Sequence, residues 1–318
     1  MTTPAQKITT PAQIDTAILD FEQAQRREGR ADETIRSRIQ ALRQVGRICD
    51  LNDPEIVKTW LSGQKNEHHF SKVCKWSNRT KTKFVDTYAA YLRYKNIAWT
   101  RPRYMSVEKL PFIPTEQEID VLIASCGKLT AAILQTLKET GMRIGELTQL
   151  TPIDLDVERK TLSVTPEKNS NPRILHISDK LIGMIQNLPK DPRATYKTIF
   201  QSHKDTLRDY LCSQRKAVAE KLGNPRLAKI SFHTLRHWKG TMEYHATLDM
   251  MHVKKILGHK SILSTQVYVN LESALFLQTD ENFVCKVAHD EKEEAELIEA
   301  GFQHVNNRNE LAFYKKRK

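Results

Sequence analysis

Apolar residues recur every three or four positions over the first third of the chain. Ile14, Ile18 and Phe21 form one such series and Ile35, Ile39 and Leu42 another, the spacing of a helix that turns one face to a core. Asp53-Pro54 opens a third helix carrying Ile56 and Trp60. Phe84, Tyr88 and Tyr91 mark a fourth, with Arg79, Lys81 and Lys83 in or just before its first turn. This predicts a small helical domain over residues 14–98. It follows a flexible lead-in, residues 1–13, where TTPAQ occurs twice and Thr10-Pro11 reads as a cap and first helical position.

The pattern breaks between Trp99 and Pro114, where Pro102, Pro111 and Pro114 fall beside Arg101 and Arg103. Such a stretch reads as an extended linker, residues 99–114. Thr115 and Glu118 then form a capping box ahead of an apolar-periodic helix, and helical periodicity dominates a second domain over 115–275. One interruption is β-rich: Thr161 to Thr165 and Arg173 to Ile177 flank PEKNSNP, a hairpin with Lys168 in its turn. The last segment, 276–318, alternates FVCKVA, EKEEAELIEAG, FQHV and LAFYKK. It reads as a strand, a helix and two strands, too small to stand alone and expected to dock on its neighbour. The fold class expected is mainly α with a small antiparallel β-sheet, that is α+β.

Composition narrows the class. The 318 residues include 39% hydrophobic and 28% charged residues, enough for ordinary cores in two domains and unlike a disordered chain. No apolar run approaches the roughly 20 residues of a membrane span, and MTTPAQKITTPAQ has no signal-peptide core. Five widely spaced cysteines without a CxxC argue against a disulfide framework or a zinc site. The expected compartment is the cytoplasm. The net charge is +12; the segment from Phe276 onward holds nine acidic and seven basic residues, so its −2 leaves +14 on the preceding body. A basic body fits a phosphate-rich partner.

Candidate chemistry concentrates in the second domain. Arg143 lies in TGMRIGEL, His233 and Arg236 in HTLRHWKGT, and His259 and Tyr268 in LGHKSILSTQVY. Together with Lys168 they supply two guanidiniums, an ammonium, two imidazoles and a phenol. Two arginine forks suit the non-bridging oxygens of a phosphodiester as charge grows on them in a pentacoordinate transition state. His233 and Arg236, three apart, share a helix face. A tyrosine is ionised to only about a thousandth at pH 7, so Tyr268 as nucleophile needs a base such as His233 and a cationic field. Lys168 is a candidate proton donor to the leaving oxygen, and His259 a hydrogen-bond donor to the phosphate. The His233–His237 pair could hold zinc, but Thr234 stands where HExxH has its glutamate.

In order and spacing, these three segments resemble the characteristic boxes of the tyrosine recombinase (phage integrase) family. More narrowly, TPEKNSNPRILHIS, KLGNPRL and the tail from CKVAHD to YKKRK are similar to integrases of archaeal viruses, plasmids and integrated elements. The resemblance implies that Arg143, Lys168, His233, Arg236 and His259 form the active site around the nucleophile Tyr268. Glu146 and His237 would be supporting residues. Trp238, Gly240 and Asn270 depart from the usual pattern, where a small or apolar residue, alanine and histidine are frequent.

The implied reaction passes through a 3′-phosphotyrosyl enzyme and a Holliday junction, with no ATP, metal or other cofactor. The partner would be double-stranded DNA carrying attachment sites, held by a homotetramer clamped on two synapsed duplexes. Arg79, Lys81, Lys83, Arg101 and Arg103 are the candidate DNA contacts of the first domain and linker. Alternatives are Xer-like resolution of chromosome dimers and topoisomerase IB-like relaxation, the latter separable by assaying plasmids with and without a recombination site. A non-catalytic DNA-binding descendant would have no reason to keep Tyr268.

Overall fold

The computed structural model describes residues 11–63, 65–66, 74–106, 109–167, 170–189, 197–276, 283–308 and 311–317. Residues 1–10 of the expected lead-in and Lys168 lie outside them. The chain divides into two compact units, residues 1–109 and 110–318.

The first unit contains α1 (Pro11–Arg27), α2 (Asp32–Gly46), α3 (Pro54–Gly63) and α4 (Asn78–Tyr94). Between α3 and α4 lies a two-residue antiparallel pair absent from the sequence pattern, β1 (Lys65–Asn66) and β2 (Cys74–Lys75). Ile18 and Phe21 of α1, Ile35, Ile39 and Leu42 of α2, and Tyr88 and Tyr91 of α4 meet in one core. The Tyr88 hydroxyl, inside that core, donates to Leu51 O at 2.9 Å. In α3 the buried face differs from the expected one: Val57 and Leu61 are buried, Trp60 packs beside them, and Ile56 is 40% exposed. Apolar pairs at 56–57 and 60–61 read equally well on either side of so short a helix. Trp99 and Tyr104 of the expected linker also pack on this core.

The second unit runs α5 (Glu116–Ser125), α6 (Lys128–Thr140), α7 (Ile144–Gln149), β3 (Leu155–Asp156), β4 (Thr161–Val164), β5 (Arg173–His176), α8 (Asp179–Gln186), α9 (Lys204–Lys221), α10 (Phe232–Thr247), α11 (Met250–Leu257) and α12 (Gln266–Leu275). The Thr115–Glu118 capping box forms with both halves, at 3.2 and 2.9 Å. Most of α6 is buried, Ala132 through Leu137 included. A helix enclosed on most sides is the spine of its domain, and α10 packs against it and against α11 and α12. The hairpin forms with Leu162 opposite Leu175 and Val164 opposite Arg173, and β3 adds a third antiparallel strand. Phe112 and Ile113, the far end of the expected linker, belong to this core.

Beyond α12 come β6 (Phe283–Ala288), α13 (Glu291–Glu299), β7 (Gln303–Arg308) and β8 (Leu311–Arg317), with strand order β6-β8-β7. Ala288, Leu297, Ala312 and Tyr314, joined by Phe302, form their own small cluster. The strand β7 continues past the expected FQHV to Arg308, with an irregularity between His304 and Asn306. Among the described residues no helix is long and apolar enough to cross a membrane.

Candidate active site

Helix α6 ends at Gly141, and the chain reverses so that Arg143 becomes the N-cap of α7. Its side chain is held by Glu146 one turn on: Oε1 accepts from Arg143 Nη1 at 3.2 Å, and Oε2 from the Arg143 backbone N–H at 2.9 Å. Glu146 is fully buried. Burial alone would raise its pKa, but bonds from Arg173 and from the Arg143 backbone outweigh this and hold it below the usual carboxylate range.

Helix α10 starts at the cap Ser231, whose hydroxyl accepts from the Thr234 N–H. That start places Arg236 inward, 2% exposed, where it donates to Gly141 O at 2.8 Å and Leu257 O at 2.7 Å. A guanidinium so fixed ties the ends of α6 and α11 together. Burial first, then Arg143, lower its pKa to about 10, so it stays charged at neutral pH. His233 is exposed one turn earlier, and its pKa is lowered by partial burial, Arg236 and Arg143.

Arg143, His233 and Arg236 line one cavity of about 400 Å³, shared with Arg208, Arg215 and Glu167. The Glu167 carboxylate takes the space a Cβ would fill on Gly145. Residues drawn from the end of α6, the hairpin, α9 and α10 thus converge on an arginine-rich hollow suited to an anion.

His259 follows Gly258, the left-handed C-cap of α11. Its Nδ1 pairs with the buried Thr265 hydroxyl at 2.9 Å, and burial followed by Arg236 lowers its pKa to about 3. The Tyr268 ring lies parallel to that of His259, with centroids 6.3 Å apart, and 6.0 Å from His237. His237 in turn meets His233 edge-on at 4.4 Å. Burial raises the Tyr268 pKa to about 12 against the pull of Arg236 and Arg143. Its ring, 2% exposed, rests on α10 at Gly240, where an added Cβ would lie 2.5 Å from Cζ. This contact accounts for the glycine at this position.

The structure therefore brings together Arg143, Glu146, His233, Arg236, His237, His259 and Tyr268. Arg173, Arg208, Arg215, Glu167 and Thr265 were not singled out from sequence; Arg173 stands at the start of a short apolar strand, where only its isolated charge marks it. Among the described residues no group of three or more His, Cys, Asp or Glu side chains is placed to hold a metal ion.

The first-domain cations divide. Arg79, Lys83, Arg101 and Arg103 are exposed, with Arg101 paired to Asp86. Lys81 corrects the expectation: it is 7% exposed, donates to Ser62 O at 3.0 Å and lies over the Tyr104 ring, so its charge is spent inside the domain. Arg36, Gln40 and Arg43 of α2, with Arg47 just past its end, instead line an open groove shared with Glu22 and Asp32.

Residues 114–274, just over half of the chain, match the model of the phage integrase family. The chain belongs to that family. Among curated relatives, tyrosine recombinase XerA of Saccharolobus solfataricus is 28% identical over 185 residues, 57% of this chain and 60% of the relative. Tyrosine recombinase XerC of a Roseiflexus species is 30% identical over 153 residues, 45% of this chain and 48% of its own length. The chain thus spans about half to three-fifths of these relatives. Among solved structures, the Tn1549 transposon integrase in complex with transposon right end DNA aligns with a TM-score of 0.60 at 16% identity, over 90% of this chain and 99% of that one. XerH recombinase bound to its difH substrate aligns at 0.55 and 17%, over 88% and 100%. These likenesses establish the shared fold.

Proposed function

We propose that this chain is a site-specific DNA recombinase that breaks and rejoins strands through Tyr268. The observation that carries the reading is the convergence of Arg143 and Arg236 on one cavity, with Tyr268 and His259 ring against ring beside Arg236. Three recombinase relatives of the fold were solved with DNA, which supports DNA as the partner here.

In this reading the two arginines bind the non-bridging oxygens of a DNA phosphate and stabilise the charge that grows on them. The Tyr268 oxygen attacks phosphorus, the bond to the 5′-oxygen breaks, and a 3′-phosphotyrosine forms. A phenol with a pKa near 12 must lose its proton during attack, and His233, held below its ordinary value by burial and the arginines and so neutral at pH 7, is the base that receives it. Lys168 protonates the leaving 5′-oxygen, and His259 hydrogen-bonds the phosphate. A 5′-hydroxyl of the partner strand then reverses the sequence, so the energy of the broken bond is kept and neither ATP nor a metal is required. Two such rounds through a Holliday junction, in a homotetramer on two attachment sites, complete an exchange in the cytoplasm, at the nucleoid. Arg79, Lys83 and Arg103, with the α2 arginines, hold the DNA backbone.

The test uses a suicide DNA substrate nicked beside the cleavage site. Wild-type protein should give a covalent adduct, seen as a slower band on a denaturing gel. Tyr268→Phe should bind the same DNA and give none. An adduct from Tyr268→Phe rules out this nucleophile.

A further inference from the structure

The supporting shell of the site converges on a side chain outside the catalytic set. We propose that Arg173 is a positioning residue whose single guanidinium fixes Arg143 and His259 relative to one another. For its chemistry the proposal rests on the recombinase reading; its geometry stands apart from it.

Arg173 opens β5 with its side chain buried. Toward α7 it donates from Nη2 to Glu146 Oε2 at 2.7 Å and from Nη1 to Oε1 at 3.3 Å. These are the two oxygens that also hold the Arg143 side chain and backbone. Toward α11 the same Nη1 packs on Gly258, where an added Cβ would lie 2.7 Å away. Gly258 has φ of 69° and immediately precedes His259, so both its conformation and its contact with Arg173 exclude a side chain. The residues leading into β5 complete the link. Asn171 N–H and Ser170 Oγ donate to Gly258 O at 2.9 and 2.8 Å, and Asn171 Nδ2 donates to His259 O at 3.3 Å.

Two features separate this from an ordinary structural ion pair. The buried Arg173 Nε–H has no acceptor among the described residues, so the guanidinium is placed at some cost in unmet hydrogen bonding. And the charges matter: Glu146 alone would neutralise Arg143 and draw its fork away from a phosphate, whereas a carboxylate shared between two arginines leaves the trio net positive. A buried pair is weak evidence for a stabilising role, because desolvation offsets the attraction.

The decisive variant is Arg173→Lys, which keeps the charge but replaces a two-pronged donor by a point. With the protein folded and DNA saturating, single-turnover adduct formation on the suicide substrate should slow by about 10²-fold, with DNA affinity within about threefold of wild type. Hydrogen exchange gives a readout that needs no catalysis. The amide of Arg143, bonded to Glu146, and that of Asn171, bonded to Gly258, should both exchange faster, by about tenfold.

An adduct rate within about twofold of wild type, or faster exchange at only one of the two amides, would overturn the proposal. If wild-type protein itself gives no adduct, the recombinase reading fails and the paired exchange result still decides the positioning role. Should Arg173→Lys not fold, Arg173→Gln, which leaves Glu146 in place, is measured the same way, with the same loss expected.

Discussion

At the scale of single residues, the structure turns on how closely Tyr268 is packed. Its ring lies on Gly240, and an added Cβ there would also meet Leu257 Cδ1 at 2.9 Å. Gly240→Ala should gain about 0.5–1 kcal/mol of helix propensity but lose more to overpacking, about 1–3 kcal/mol. A net destabilisation of roughly 1–2 kcal/mol in urea unfolding is expected, relieved when Tyr268→Ala is added. Equal losses with and without Tyr268→Ala would show that the clash is not with this ring. The candidate residues that the structure brings together are legible because most of them stand in three short contiguous segments. Gly240 stood out only as a departure from pattern, since nothing local announces which distant ring will lie on it. Arg173 was illegible for a related reason: its meaning comes from Glu146, far away in sequence, and a lone arginine opening RILHI reads as a solvated strand end.

At the scale of elements, period-3.6 patterns located α1, α2 and α4 and their buried faces, because each carries one clear apolar stripe. Helix α3 was read one residue off because adjacent apolar pairs leave its face ambiguous, and β3, two residues long, has no pattern to read. The same limit applies to charge on helices, since sequence spacing does not say which cation reaches solvent. Lys81 turns inward to the end of α3, while Arg36 and Arg43 of α2 and Arg47 at its C-cap face a groove. If α2 grips DNA phosphates, Arg43→Ala should lower the slope of log affinity against log salt by about 0.9. Lys81→Ala should leave that slope unchanged and cost about 1–2 kcal/mol of stability from its lost buried hydrogen bond and packing. A salt titration and a denaturant curve on each variant check both, and the reverse assignment of effects would return Lys81 to the DNA surface.

At the scale of the whole molecule, the chain divides into two compact units at residue 109, inside the proline-marked stretch, and the residues of that stretch are shared between the two cores. Trp99 and Tyr104 pack with the first core, Phe112 and Ile113 with the second. Sequence could place the prolines but not the packing of the aromatics between them. The second core encloses neutral imidazoles among arginines, and this carries a stability cost that depends on pH. Burial, then neighbouring cations and imidazoles, holds His237 at about 4 and His259 at about 3, against roughly 6.5 in an unfolded chain. Because the folded values are depressed, the unfolded state binds more protons as pH falls below 6.5. Stability is therefore fully present above that pH and is lost on acidification, until the folded protein titrates near 4 and 3. Each imidazole contributes a slope of at most about 1.4 kcal/mol per pH unit, so the pair gives up to roughly 2.7. Glu146, also depressed, adds its own loss only lower, below the ordinary carboxylate pKa near 4.5. His233, also depressed, adds to the same loss, so urea unfolding at pH 7.5, 6.0 and 5.0 should show this decline and His259→Gln should remove a substantial part of it. An anion seated between Arg143 and Arg236 would cancel part of the repulsion on His259, so DNA-bound protein should lose less stability over the same range. An unchanged acid slope in His259→Gln would place the titrating groups elsewhere in the molecule.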